Sequence, residues 1–182
     1  MKLIKSTSII FLAALAVPSW QGCALLQQHI PGLTMSEANL VSVLDSIDEG
    51  EIETARLAMD KASAPEVRAF AGRILNEHRS LGEASARLAT QLSLEPEPPA
   101  LASDMKEAHD DAMQELRAKT GPSFDRAYVR HEIQQHVQAF NFLEAAAASE
   151  SNVTLRQELI RTGPDLLSHI SAARALERHL GS

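Results

Sequence analysis

The sequence predicts an all-α fold, a bundle of four long helices with one long crossover. Three observations lead to this prediction: the composition, the period of the apolar residues and the lengths of the connections. Of 182 residues, 45% are hydrophobic but only 4% are aromatic, so the apolar residues are mainly Ala, Leu, Val and Ile. Ala and Leu have high helix propensity, whereas sheets need aromatic and β-branched residues.

The chain begins with the features of an export signal. Lys2 and Lys5 precede an apolar run over residues 9–17, and Pro18, Ser19 and the small residue Gly22 follow. This order is typical of a secretory signal peptide. The run is too short for a membrane span, which needs about 20 apolar residues. We therefore predict that residues 1–22 are removed and that the mature protein lies in the cell envelope.

Cys23, the only cysteine, directly follows Gly22. This arrangement resembles the lipobox of bacterial lipoproteins, in which the cysteine is acylated and becomes the new N-terminus. Lipid chains on Cys23 would anchor the protein to a membrane, and by the sorting rule of such lipoproteins Ala24 implies the periplasmic face of the outer membrane. The alternative is cleavage after Ala16, which leaves a free thiol in the periplasm, since Trp20 replaces the aliphatic residue that the lipobox prefers.

Residues 23–34 are predicted to form a tether, and residues 35–180 the four-helix-bundle domain. The first two helices are predicted over 35–60 and 64–92, because apolar side chains recur there every three or four residues. Their apolar stripes consist of Leu40, Leu44, Ile47, Ala55 and Ala58, and of Val67, Phe70, Ala71, Ile74, Leu81, Leu88 and Leu92.

The prolines of residues 94–99 predict a loop, because proline lacks the amide donor that a helix needs. A shorter polar helix is predicted over 101–119, and two more long helices over 124–148 and 153–180. Gly163 and Pro164 fall inside the last segment, where we expect a kink or a restart of the helix.

The lengths of the connections predict the topology. The first two long helices share a turn of about three residues, as do the last two, so each pair is expected to be an antiparallel hairpin. About 30 residues separate the hairpins, enough to cross a bundle that is about 38 Å long. A single long crossover is the connectivity of ferritin-like folds. We therefore predict a ferritin-like four-helix bundle whose crossover carries a short extra helix.

Charge and motifs exclude several classes of function. The chain has 24 Asp and Glu against 17 Lys and Arg, a formal charge of -7, which argues against nucleic acid as a partner. One cysteine excludes an internal disulfide and a zinc site of the CxxC…CxxC type. GxSxG, P-loop, GxGxxG and HExxH motifs are all missing from the sequence. The only cysteine is assigned to export, so the sequence shows no machinery for nucleophilic catalysis.

One titratable side chain lies near the middle of the apolar stripe on each long helix: Glu51, His78, His136 and His169. On an inward face such a group must be paired, neutral or a ligand, because burying a bare charge is costly. Imidazoles and a carboxylate that converge in a bundle core would suit Fe, Mn, Zn or Cu. Glu132 and Asp165 each lie one turn before a histidine. They are candidates to accept a hydrogen bond from the ring nitrogen that does not bind the metal, and so to orient the ring.

Other interpretations of these residues stay open. A metal-free polar core, in which the histidines bond to carboxylates or hydroxyls, needs the same residues, and so does a site for another small ligand. Counted from the hairpin turn, Glu51 is offset from His78 by about 7 Å, so the four side chains need not all meet. Glu-x-x-His is missing, which argues against a di-iron centre. The CxxCH motif, through which haem is attached covalently, is missing too.

Several motifs resemble the bacterial envelope family known as domain of unknown function 4142. The matching stretches include Glu51 to Ala58, Lys61 to Ala71 and Glu77-His78 in the first half, and Gly121 to Tyr128, His136 and Gly163 to His169 in the second. The resemblance covers about residues 36 to 180. It implies a ferritin-like bundle that is exported and often lipid-anchored, with Glu51 and the three histidines as characteristic polar positions.

The chain departs from the pattern of that family at three positions. Glu77 and Gln135 stand where Asp usually precedes a histidine, and Gly163 stands where Leu usually precedes the proline. Gln135 removes a charged neighbour of His136. The family has no settled activity, so the resemblance implies a fold rather than a reaction.

Two functions are therefore expected from the sequence. The first is a lipid-anchored envelope protein without turnover, whose inward His and Glu residues form a polar or metal-binding core. The second is a ferritin-type metal-dependent oxidoreductase or metal-storage protein. A third class, a binding module for another envelope protein, rests only on the acidic surface and the polar short helix.

Overall fold

The structure is a computed structural model that describes residues 35–181. The export signal, Cys23 and the tether up to residue 34 lie outside the described residues. Within the described part the predicted all-α bundle is confirmed: the chain forms helices and no strands. The helices are α1 Glu37–Lys61, α2 Pro65–Leu92, α3 Ala100–Arg117, α4 Gly121–Ser149 and α5 Val153–Leu180.

The first two helices are capped in different ways. Ser36 caps α1, because its hydroxyl accepts a hydrogen bond from the amide of Asn39 at 3.1 Å. The α2 helix is capped from outside. Asp125 of α4 accepts hydrogen bonds from the amides of Ser63 and Ala64, both at 2.9 Å, and from the Ser63 hydroxyl. A buried carboxylate of the second hairpin therefore holds the turn of the first.

The last helix is continuous, so a restart at Gly163 and Pro164 is ruled out, whereas the kink stays a prediction. Proline removes one hydrogen bond from the helix, but Leu159 and Leu166 on either side of it are both buried and hold the two halves on one face. Gly163 lies close to α4: a Cβ atom added there would lie 3.5 Å from the ring of Phe140.

The four long helices pack as two antiparallel hairpins. The α1 helix pairs with α2, and α4 with α5; α1 also contacts α4, and α2 contacts α5. The first residues of α1 pack with the last of α2 and α4, so α2 and α4 run parallel and the connection between them crosses the length of the bundle. That connection contains α3, which packs against α1 and α4. No helix within residues 35–181 is both long and apolar enough to cross a bilayer.

The core consists of two apolar clusters, one toward each end of the bundle. The first contains Ile74 of α2 and Phe124 and Tyr128 of α4. The second contains Leu88 of α2 and Leu143 of α4. Between them, each long helix contributes buried polar side chains, which we call the polar layer: Asp48, Glu51, His78, Glu132, His136 and His169.

Candidate metal centre

Three histidines of the polar layer converge at one point. His78 comes from α2, His136 from α4 and His169 from α5, and each is at most 1% exposed. Nε2 of His136 lies 3.3 Å from Nε2 of His78 and 3.0 Å from Nδ1 of His169. The three facing nitrogens all lie within 4.8 Å of one another. Each histidine sits on the stripe of its helix that faces the bundle axis, which is why three distant stretches of chain meet here.

The outer nitrogen of each ring has its own partner. Nδ1 of His78 lies 2.7 Å from a carboxylate oxygen of Asp48 on α1. Nδ1 of His136 donates to the backbone carbonyl of Glu132, one turn earlier on α4, at 2.9 Å. Nε2 of His169 bonds to the carboxylate of Glu77 on α2. Carboxylates and backbone carbonyls are the groups that orient histidine ligands in metalloproteins.

These partners determine which ring nitrogens carry protons. A backbone carbonyl or an ionised carboxylate accepts a hydrogen bond, so with Asp48 and Glu77 ionised the outer nitrogen of each ring carries the proton. A neutral imidazole has only one proton, and the inner nitrogens of His78, His136 and His169 are left with bare lone pairs. The lone pair of His136 then faces those of His78 and His169 from 3.3 and 3.0 Å. A positive charge between the three nitrogens, a proton or a metal ion, would remove their mutual repulsion.

Electrostatics disfavour an extra proton. Burial, together with the neighbouring His78 and His169, lowers the pKa of His136 well below its usual value. Burial also lowers the pKa of His169, against the opposing effect of Glu77. Partial burial favours the neutral form of Glu77, but hydrogen bonds from Arg73 and His169 outweigh it and lower the pKa of this carboxyl. The imidazoles of His136 and His169 are therefore held neutral, which is the form that binds metals.

A second set of buried polar side chains lies on the other side of the His136 ring. Carboxylate oxygens of Glu51 and Glu132 lie 3.7 and 3.6 Å from Nδ1 of His136. Tyr128 precedes Glu132 by one turn, and its ring is fully buried. Burial raises the pKa of Glu132 to about 7. Burial and then the charge of Glu132 raise the pKa of Glu51 well above its usual value. We call Glu51, Glu132 and Tyr128 the carboxyl group cluster.

The structure brings together most of the residues that the sequence singled out. His78, His136 and His169 meet, whereas Glu51 does not reach His78 and lies beside the outer nitrogen of His136. Glu132 orients His136, but with its backbone carbonyl. Asp165 is exposed, and Glu77 takes the position that we predicted for it.

Sequence reasoning missed two of the partners. Asp48 lies one turn before Glu51 on the same stripe of α1, and this spacing of three residues is the signal that points to it. Glu77 precedes His78 directly and therefore points away from that histidine. Only the approach of α5 to α2 reveals that its partner is His169.

The fold and the polar layer define an all-α helical bundle with a buried cluster of histidines and carboxylates. The family model described as Domain of unknown function (DUF4142) matches residues 24–176, and the chain belongs to this family. No curated protein and no solved structure matches the chain.

Proposed function

We propose that this protein binds one transition-metal ion through the imidazoles of His78, His136 and His169. The observation that carries the proposal is the convergence of three bare nitrogens whose opposite ring nitrogens are all engaged. A metal-free core would leave the three lone pairs in mutual repulsion or require a buried imidazolium, which is costly. A bound cation removes both problems at once.

The spacing of the nitrogens supports the proposal. Two imidazole nitrogens on one tetrahedral Zn²⁺, each at about 2.0–2.1 Å from the ion, are about 3.3 Å apart. The distances from His136 to His78 and His169 are 3.3 and 3.0 Å, close to this value, and the nitrogens of His78 and His169 lie within 4.8 Å of each other. Asp48, Glu77 and the Glu132 carbonyl already hold the rings in the required orientation.

The ligand set narrows the choice of metal. Three neutral imidazoles suit Zn²⁺, Cu²⁺ or Fe²⁺, whereas Mn²⁺ prefers carboxylate oxygens. Of the ions expected from the sequence, Zn and Fe therefore fit this site better than Mn. We use Zn²⁺ as the test ion, because it has no redox chemistry and accepts a tetrahedral site readily.

We further propose that the protein is a metal-binding envelope protein without turnover, anchored through lipid on Cys23 at the periplasmic face of the outer membrane. The order of the export signal and the position of Cys23 support this location. Burial of the three histidines supports binding over catalysis, because a substrate would need a path to the ion. An oxidoreductase or storage protein of ferritin type is the alternative function, and it requires such a path.

Metal titration of the chelator-treated protein tests the proposal. We expect one Zn²⁺ per chain in the unaltered protein and loss of stoichiometric binding in His78→Gln, His136→Gln and His169→Gln. His131→Gln is the matched control, because His131 is buried on the same helix as His136 but lies outside the cluster. Equal Zn²⁺ binding by His136→Gln and the unaltered protein would overturn the proposal. Consumption of oxygen or peroxide by the loaded protein would favour the alternative.

A further inference from the structure

We propose a second ion site, independent of the three histidines, in the carboxyl group cluster. In this site the carboxylates of Glu51 and Glu132, with the phenol oxygen of Tyr128, bind a divalent cation that prefers oxygen ligands, such as Mn²⁺. The two sites lie on opposite sides of the His136 ring. Its inner nitrogen faces the other histidines, and its outer nitrogen faces the two carboxylates.

Unpartnered buried oxygens carry this inference. Within residues 35–181, five buried side-chain polar atoms lack a hydrogen-bond partner in the protein. One belongs to Ser85, and the other four belong to Glu51, Glu132 and Tyr128. Buried polar groups in folded proteins are nearly always paired, because an unpaired one forfeits its hydration without compensation. The four oxygens lie together, because Glu132 is within hydrogen-bonding reach of Glu51 and Tyr128, yet none of the four forms a hydrogen bond of good geometry. A cation bound among them would satisfy all four.

The chemistry of the cluster indicates which ligand this is. Nδ1 of His136 donates to the Glu132 carbonyl, so its lone pair is not free for a metal and the donor atoms are all oxygen. When a divalent cation displaces the protons of both carboxyls, their two negative charges match its charge. Hard cations such as Mn²⁺ and Mg²⁺ prefer carboxylates, carbonyls and water. The three histidines and the carboxyl group cluster would therefore select different metals.

A groove gives ions and water a route to the cluster. It lies between α1, α3 and α4 and has a volume of about 620 Å³. Its lining includes Glu51, which is 5% exposed, and the acidic side chains Glu49 and Glu53. Glu132, which is fully buried, lies behind Glu51. Waters from the groove can complete the coordination shell that two carboxylates and a phenol leave open.

Manganese binding, followed by the electron paramagnetic resonance signal of free Mn²⁺, tests this proposal. The full protein is first loaded with one equivalent of Zn²⁺, so that the histidines are occupied. We expect one Mn²⁺ per chain in the unaltered protein, and at least tenfold weaker binding in Glu51→Gln and Glu132→Gln. Glu53→Gln is the matched control, because it removes a carboxylate from the same helix and groove but not from the cluster.

Further variants keep the test decisive. Tyr128→Phe removes only the phenol oxygen and is expected to weaken Mn²⁺ binding even if the Gln variants fail to fold. His78→Gln, without Zn²⁺, is expected to bind Mn²⁺ as the unaltered protein does, which separates the two sites. The proposal is overturned if the unaltered protein takes up no Mn²⁺ at millimolar concentration, since the carboxyls then hold protons instead. Equal Mn²⁺ binding by the unaltered protein, Glu51→Gln and Glu132→Gln would also overturn it.

Discussion

The imidazole of His136 donates its Nδ1 proton to the backbone carbonyl of Glu132, 2.9 Å away and one turn earlier on the same helix. Because a backbone carbonyl can only accept, this contact fixes the tautomer of His136 and leaves Nε2 as an acceptor. The helix itself therefore prepares the central ligand of the cluster. His78 and His169 depend instead on carboxylates from neighbouring helices.

Metal removal is predicted to destabilise the protein. An ion that binds only the folded chain adds about 2.7 kcal/mol to the free energy of unfolding when its concentration is 100 times its dissociation constant. For a domain of this size we expect Zn²⁺ to raise the melting temperature by roughly 5–10 °C relative to chelator-treated protein. Calorimetry measures the shift. His136→Gln is expected to show none, and a similar shift in that variant would refute the assignment of the ligand.

The carboxylates behind the histidines are predicted to set metal affinity. Replacing such orienting groups in metalloproteins weakens binding by about 10–100-fold. We expect losses of this size for Asp48→Ala and Glu77→Ala in a competition titration with a zinc chelator. Glu83→Ala is the control on α2, because its exposed carboxylate pairs only with Arg87 one turn later. If both variants bind Zn²⁺ as tightly as Glu83→Ala does, the carboxylates of Asp48 and Glu77 are not needed to orient the imidazole rings.

His131 is predicted to contribute to acid lability. Burial, with a smaller effect of His109, lowers the pKa of His131 to about 4, against 6.5 for the ordinary side chain. Below pH 6.5 His131 therefore binds a proton in the unfolded chain but stays neutral in the folded chain. The free energy of unfolding falls as the pH drops toward 4. Between pH 7.5 and pH 5 this residue is expected to cost about 2 kcal/mol.

Denaturant unfolding of chelator-treated protein at these two pH values measures the effect of His131. In His131→Gln the loss of stability should be smaller by about 2 kcal/mol, while His136 and His169, whose pKa values are also lowered, still contribute to it. An unchanged loss in the variant would mean that His131 takes up its proton as readily in the folded state as in the unfolded one.

Asp125 is predicted to matter for stability but not for metal binding. Its side chain is 1% exposed and accepts three hydrogen bonds from the turn between α1 and α2. Asp125→Ala leaves buried amides unpaired, which costs on the order of 3 kcal/mol. Chemical denaturation compares it with Asp110→Ala, an exposed residue whose pairing with Lys106 contributes little. Zinc stoichiometry should be unchanged in both, and its loss in Asp125→Ala would link the cap to the site.

Lipid attachment at Cys23 is predicted to hold the protein at the membrane. In a Gram-negative host the unaltered chain should incorporate labelled palmitate and fractionate with the outer membrane, and Cys23→Ser should be found in the soluble periplasmic fraction. Mass spectrometry of the mature N-terminus gives an independent result. A chain that begins directly after Ala16, with an unmodified Cys23, would contradict lipidation.

The sequence alone determined the helices and the residues that line the bundle axis. An apolar period of 3.6 and short turns suffice to place two hairpins, and a titratable residue in a stripe stands out because solvent cannot reach it. His78, His136 and His169 could therefore be named in advance. The last helix does not restart at Pro164, because the packing of its neighbours outweighs the local propensity of proline.

Only the tertiary structure decided which side chains meet. The rotation and the axial offset of one helix against another depend on how their side chains interlock, and an offset of one turn exchanges Glu51 for Asp48 as the partner of His78. For the same reason Glu77 from a neighbouring helix, and not Asp165 from the same one, reaches His169. Periodicity assigns each residue to a face, but contacts between faces are a property of the packed bundle.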